Sequence, residues 1–383
     1  MDEQFDDIRP FNDDEIPAAV ASLSKEEYFR KVAEYLPGDT DTFMQEFSKV
    51  STTDDFQTRM LFPFLRWIAR TTSDSLLGVG FGNIDPSKPY TYISNHRDIL
   101  LDATFLGLLL AEHGIPTPET ALGDNLLVYP WMSQLVRVNK SIIVYRNMPM
   151  MKTLEEAHRL SGYINHALRD KNRSVWIAQR EGRAKNSDDR TQESVIKMLA
   201  LEGDGDLRHN VEALNIAPVS ISYEYDPCDY LKAREFQLKR DNPDYRKSPK
   251  DDLKSMSTGL LGKKGNIRFS ISGSINAEVA KLPCHLKRSE FFTAVAAIMD
   301  RKIHQGYCLF AGNYVAYDML AATGRFADKY TAAEKQEFET YLEGQLAKIE
   351  NLPSPDYPYL KARMLEMYAN PLRNRMAVCG CPL

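Results

Sequence analysis

The stretch from Tyr92 to Leu110 reads YISNHRDILLDATFLGLLL, and its character changes partway along. Its first residues, with Tyr90 and Thr91 ahead of them, are aromatic and β-branched and read as a short strand. The segment 100–113 reads as a helix, closed by Gly114 and Pro116. A strand that turns directly into a helix is the unit from which α/β folds are built. The turn between them carries Asn95, His96, Arg97 and Asp98. A histidine there has an anchored backbone and a side chain free to meet a substrate. Asp98 is placed to cap the helix and Asp102 lies one turn further in. A carboxylate beside an imidazole fixes one tautomer and stabilises the protonated ring, the equipment of a general base. Asp102 is the favoured partner of His96, with Asp98 as the alternative.

The same alternation continues downstream. Strands are expected at SIIVYR (141–146), SVWIAQ (174–179), IAPVSISYEY (216–225) and IRFSISGSI (267–275). Between the first two, Thr153 and Glu156 have capping-box spacing. Leu154, Ala157, Leu160, Ile164 and Leu168 follow at helical spacing. These elements predict an α/β fold, with a mixed, mostly parallel-type sheet flanked by helices and helical additions at both ends. Three regions are expected. Residues 1–75 hold a mobile tail (1–23) and a helical stretch; 76–280 form the core, with a charged, proline-containing insertion at 226–265; 281–383 are helical. Thr331 and Glu334 would cap one of the last helices.

At 383 residues, 43% hydrophobic and 26% charged, the chain can bury a large core. Its net charge of −5 does not favour nucleic acid as a partner. The five cysteines are scattered and the N-terminal segment is acidic, with no secretory leader, so a reducing cytoplasmic setting is expected. Cys379 and Cys381 could hold a metal, but no further cysteine or histidine clusters near them. No apolar run reaches the roughly 18 residues of a membrane span.

The triplet His96-Arg97-Asp98 is spelled like the catalytic loop of a protein kinase. That reading fails on spacing. The asparagine required five residues after the aspartate is Ala103, and the glycines at Gly78–Gly82 stand too close upstream to leave room for a small lobe.

A different resemblance fits the whole region. ISNHRDILLD resembles the first motif of the glycerolipid acyltransferases, Asn-His-x4-Asp, with one residue more between histidine and aspartate. SIIVYRN resembles the second motif, whose arginine matches Arg146. IAQREGRAK resembles the third, Phe-Pro-Glu-Gly-Thr-Arg. Glu181 and Gly182 match it, and Arg183 or Lys185 stands near the last position. IAPVSIS, with Pro218, resembles the fourth. The match spans roughly residues 76–280 and is nearest to bacterial 1-acylglycerol-3-phosphate acyltransferases.

The resemblance implies acyl transfer from a thioester to a glycerol hydroxyl. His96 would be the base and Asp102 (or Asp98) its orienter. Arg146 and Arg183 would grip the acceptor's phosphate. Glu181 would fix an arginine or the glycerol hydroxyl, and Gly182 would let backbone approach the ligand. No cofactor is implied; the co-substrate is acyl-coenzyme A or acyl carrier protein, and the acceptor a lysophospholipid. The implied location is the inner face of the cell membrane, held peripherally. The aromatic-basic stretch near Phe62–Arg70 and LLVYPWM (126–132) are the expected contacts. Two other readings stay open: an acceptor of another kind, such as an amino-acid lipid, or a catalytically inactive lipid-binding scaffold.

Overall fold

The computed structural model describes residues 2–380 except 35, 37, 147 and 204. A seven-stranded sheet runs through it in the order β1-β7-β6-β2-β5-β3-β4. The strands are β1 (Ser73–Val79), β2 (Thr91–Ser94), β3 (Glu119–Gly123), β4 (Ser141–Val144), β5 (Val175–Ala178), β6 (Ile216–Tyr223) and β7 (Gly265–Ile271). Every neighbouring pair is parallel except β6 with β7. The sheet is therefore mixed and mostly parallel, flanked by helices. β2 lies at its centre with all four residues buried, as a parallel strand covered on both faces must be.

The helix after β2, Leu101–Glu112, is apolar nearly all round, and it is buried nearly all round. Leu101, Phe105, Leu106 and Leu110 are fully enclosed among Tyr92, Val219 and Phe269. Each such side chain contributes about 1.5–3 kcal/mol of burial. This packing fixes the strand-to-helix turn that carries His96.

Several expectations are corrected. Two strands, β1 and β3, go unread in the sequence. β3 conceals itself because it begins with a buried acid, Glu119, held by Arg173 at 3.0 Å and Tyr163 at 2.7 Å. β1 follows the helix Phe62–Thr72 without a break, and as an edge strand it exposes Leu77 and Val79. Thr153 is not a cap. Its helix, Met150–Arg169, starts three residues earlier after Pro149, and the Thr153 hydroxyl donates to the Met148 carbonyl instead. The Thr331–Glu334 capping box is present as read.

Residues 2–23, expected to trail free, are docked. Phe5 and Ile8 are buried in the main core, the Ile143 amide of β4 donates to the Ile8 carbonyl, and helix Ile16–Leu23 packs with Phe47 and Met60. Residues 226–265, read as a charged, proline-containing insertion, fold into two helices, Asp229–Asp241 and Pro249–Leu261.

Of the two aromatic stretches, Phe62, Leu65 and Ile68 are buried in the first; in the second Trp131 packs against Phe29 while Tyr129 is exposed. The most exposed large apolar side chains are Met150 and Met151, with Leu154 exposed one turn further along the same helix. Among the described residues no helix is long and apolar enough to cross a membrane. Cys379 is exposed, and Cys381 lies outside the described residues.

Candidate active site

In a parallel sheet, ligand sites form beyond the carboxyl ends of the strands. Here His96 follows β2, Arg146 follows β4, and Arg180 to Arg183 follow β5. All of them line one cavity of about 1180 Å³, together with Glu181 and Gly182. Side chains far apart in sequence meet because their strands run the same way and end at the same edge.

Asn95 fixes the turn. Its side-chain amide donates to the Ile221 carbonyl at 2.9 Å and accepts from the Ile221 amide at 2.8 Å. It thus extends the pairing of β2 with β6 past the last strand residue, and His96 inherits a rigid mount. The Nδ1 of His96 lies 2.8 Å from Asp102 Oδ2. That carboxylate oxygen also accepts from the amides of Arg97 at 2.6 Å and Asp98 at 3.1 Å. Asp102 is wholly buried and its oxygen is held on three sides, so the imidazole keeps a single orientation. With Nδ1 engaged, Nε2 is the nitrogen left for chemistry. Trp176 stands edge-on to the ring, 6.0 Å between centroids.

The extra residue between histidine and aspartate is absorbed before the helix begins. The backbone from Asn95 to Leu100 is irregular, and Leu101 opens the helix. Asp98 has the other task. Its Oδ1 accepts from the amides of Leu100 at 2.9 Å and Leu101 at 2.8 Å. Burial and then the charge of Asp102 push its pKa up, so it is a poor second carboxylate for the imidazole. Arg97 turns inward to Asp189, at 2.8 Å, both side chains buried. Each member of the kinase-like triplet therefore has its own employment, and none resembles a kinase's.

Arg146 is half-buried, and its guanidinium stands 3.8 Å from Glu181, a largely exposed carboxylate. Its own amide is anchored on Asp124 at 3.0 Å. Gly182 has φ +66°, the left-handed region that favours glycine, and no atom stands within 4 Å of where a Cβ would project. Backbone shape, rather than crowding, calls for glycine here. Arg183 is half-buried. Burial draws its pKa down, but Cys228, Asp98 and Asp226 outweigh that and hold the guanidinium charged. One of its terminal nitrogens is buried with no hydrogen-bond partner among the described residues. Lys185, the alternative to Arg183, is paired with Glu235. Pro218 sits inside β6 opposite Ile93 and supports the sheet; it does not line the cavity.

Three contributors escape the sequence motifs. Arg180 lines the cavity with no ion pair among the described residues. Tyr223 lies behind Asp102; its buried hydroxyl faces that carboxylate, though neither it nor the second Asp102 oxygen makes a well-formed hydrogen bond among the described residues. Burial and then the Asp102 charge raise the pKa of that phenol. The segment 226–265 closes one side of the site. Only Arg180, adjacent to Glu181, carried a signal that reading could have used.

Residues 79–222 match the family described as Acyltransferase. That segment is somewhat over a third of the chain, and through it the chain is similar to the acyltransferase family. Among solved structures it is similar to the 1-acyl-sn-glycerophosphate (LPA) acyltransferase PlsC from Thermotoga maritima. The identity is 10%, the TM-score 0.36, and the match covers 75% of this chain and 93% of that one. No curated protein matches the chain in sequence.

Proposed function

We propose that the enzyme moves a fatty acyl group from a thioester to the free hydroxyl of a glycerol-phosphate lipid, converting lysophosphatidate to phosphatidate. The observation that carries this reading is the opening of the His96–Asp102 pair into the same cavity as Arg146 and Arg183. An alcohol is a weak nucleophile at neutral pH. His96 Nε2 accepts the hydroxyl proton as the oxygen attacks the thioester carbonyl carbon. The carbon–oxygen bond forms, the carbon–sulfur bond breaks, and the proton passes from the imidazolium to the departing thiolate. Asp102 steadies the ring while it is charged. The thioester is already activated, so no acyl-enzyme is required.

Arg146 and Arg183 suit a phosphate because each guanidinium offers paired donors to two oxygens. Glu181 orients Arg146. The apolar part of the cavity, with Leu122, Ile143, Leu160 and Met198, suits an acyl chain. Lipid would arrive at the inner face of the membrane past Met150, Met151 and Leu154. These open the helix whose Thr153, Ala157 and Leu160 line the cavity.

The test supplies purified protein with labelled acyl thioester and lysophosphatidate, an amino-acid lipid, or neither. Transfer to lysophosphatidate is expected. It should fall by about 10²–10⁴ or more in His96→Ala, and Arg146→Ala should raise the KM for the phosphate acceptor. A wild-type protein that transfers to the amino-acid lipid alone, or an Arg146→Ala protein with unchanged acceptor KM, would overturn the acceptor assignment.

A further inference from the structure

Asp102 is held by one oxygen and free by the other. Oδ2 takes the imidazole and two amides, while Oδ1 is buried and makes no well-formed hydrogen bond among the described residues. An ionised carboxylate can only accept, and a buried acceptor left unmet is costly. The hydroxyl of Tyr223 faces it. That hydroxyl is shut from solvent and is itself without a well-formed bond among the described residues.

Strand β6 explains the meeting. Asn95, the residue before His96, is fastened to Ile221 by both ends of its side-chain amide. Side chains two apart on a strand share a face, so Tyr223 points the way Val219 and Ile221 do. Those two pack in the cluster that holds Leu101 and Phe105 of the Asp102 helix, and the Tyr223 ring packs against that same cluster. Two other acids reach the phenol with their charge, Asp98 and Asp226, and both are occupied. Asp98 gives one oxygen to the helix amides, and its other faces Gly259. Asp226, in the loop after β6, spends its oxygens on the Cys228 amide and on Lys232. The cations around this group attend to acids as well: Arg97 pairs with Asp189, and Arg183 and Lys264 feel the charge of Asp98. Burial and the Asp102 charge raise the pKa of the phenol, so it keeps its proton and has it to give.

We propose that Tyr223 is a positioning residue of this site, its hydroxyl donating to Asp102 Oδ1 and completing a line from His96 through Asp102 to Tyr223. The inference rests on the acyl-transfer reading for what the line does. With both oxygens held, the carboxylate cannot rotate, and Nδ1 keeps its partner throughout the reaction. The phenol also draws off part of the carboxylate's charge. The imidazolium is then bound less tightly and passes its proton more readily to the departing thiolate. Tyr223 does not line the cavity, so it acts on the substrate through its partners alone.

Tyr223→Phe removes one oxygen and keeps the ring. Its kcat should fall by about tenfold or more, with both KM values unchanged. A carboxylate without that donor holds the imidazolium more strongly, so the acid limb of the kcat/KM profile should move to higher pH. A variant that had merely lost packing would drop in rate with the limb unmoved. In Asp102→Asn protein, Tyr223→Phe should cost little more, because its route to His96 is already cut. A wild-type kcat, an unmoved limb, or a full additional loss in the double variant would each overturn the proposal. If the Phe variant did not fold, a crystal structure of the wild type decides. Tyr223 Oη should lie about 2.5–2.7 Å from Asp102 Oδ1, and a water between them or another partner for Oη overturns the assignment. Wild-type protein that transfers no acyl group would sink the acyl-transfer reading, while that distance would still settle where the phenol donates.

Discussion

At the scale of single residues, the two acids that follow His96 can be told apart by what they hold. Asp102 holds the imidazole and two amides on one oxygen. Asp98 holds the first amides of a helix. Asp102→Asn should lower turnover by about 100-fold or more, because the amide can present the wrong partner to Nδ1. Asp98→Ala should instead lower stability, by about 1 kcal/mol from the lost cap. Turnover and thermal melts measured on both variants check the assignment; the reverse pattern would exchange their roles. The His96–Asp102 hydrogen bond was legible because the two residues lie only six apart in sequence. The Arg97–Asp189 ion pair was not, since nothing local announces that a charged side chain will turn inward to a partner over ninety residues away. Removing one member of such a buried pair costs about 3–5 kcal/mol. Arg97 therefore belongs to the frame behind the site.

Among elements, the helix Pro249–Leu261 had the weakest signal. Its charge and its leading proline read as an exposed excursion, yet it lies against the site. Gly259 meets Asp98 so closely that a Cβ would sit 2.0 Å from the carboxylate oxygen. In an exposed helix, Gly→Ala gains about 1 kcal/mol. Here the sign should invert. Asp98 is buried and pinned by its two amide bonds, so it cannot give way, and the helix must shift. Gly259→Ala should lower the melting temperature and weaken the closure of the cavity; a rise in melting temperature would show the contact to be loose. The strands at 91–94, 141–144, 175–178 and 216–223 were readable from their β-branched and apolar runs. β1 and β3 were not, because one is half-exposed at the sheet edge and the other hides an acid. The sequence blocks that match the acyltransferase family mark the ends of the readable strands, which is why the site could be anticipated while one of its walls could not.

For the whole molecule, the exposed trio Met150, Met151 and Leu154 is the feature that a water-facing surface least explains. Met150→Asp/Met151→Asp should abolish co-sedimentation with lipid vesicles while leaving transfer to a short-chain, dissolved acceptor intact. Vesicle binding unchanged in that variant would place the lipid entrance elsewhere. One margin of the sheet is set by β4, its outermost strand, which is covered by the segment around Ile8. Arg137 clasps the same segment, donating to the Arg9 carbonyl at 2.8 Å across 128 residues of chain. An uncovered outer strand is a template for pairing with a neighbour. During synthesis the guarding residues leave the ribosome long before the strand they protect exists, and they must wait beside it unpaired. A nascent chain whose leading stretch is held away, by a bulky fusion partner or a tethering chaperone, would emerge with that flank bare and prone to clump with its siblings.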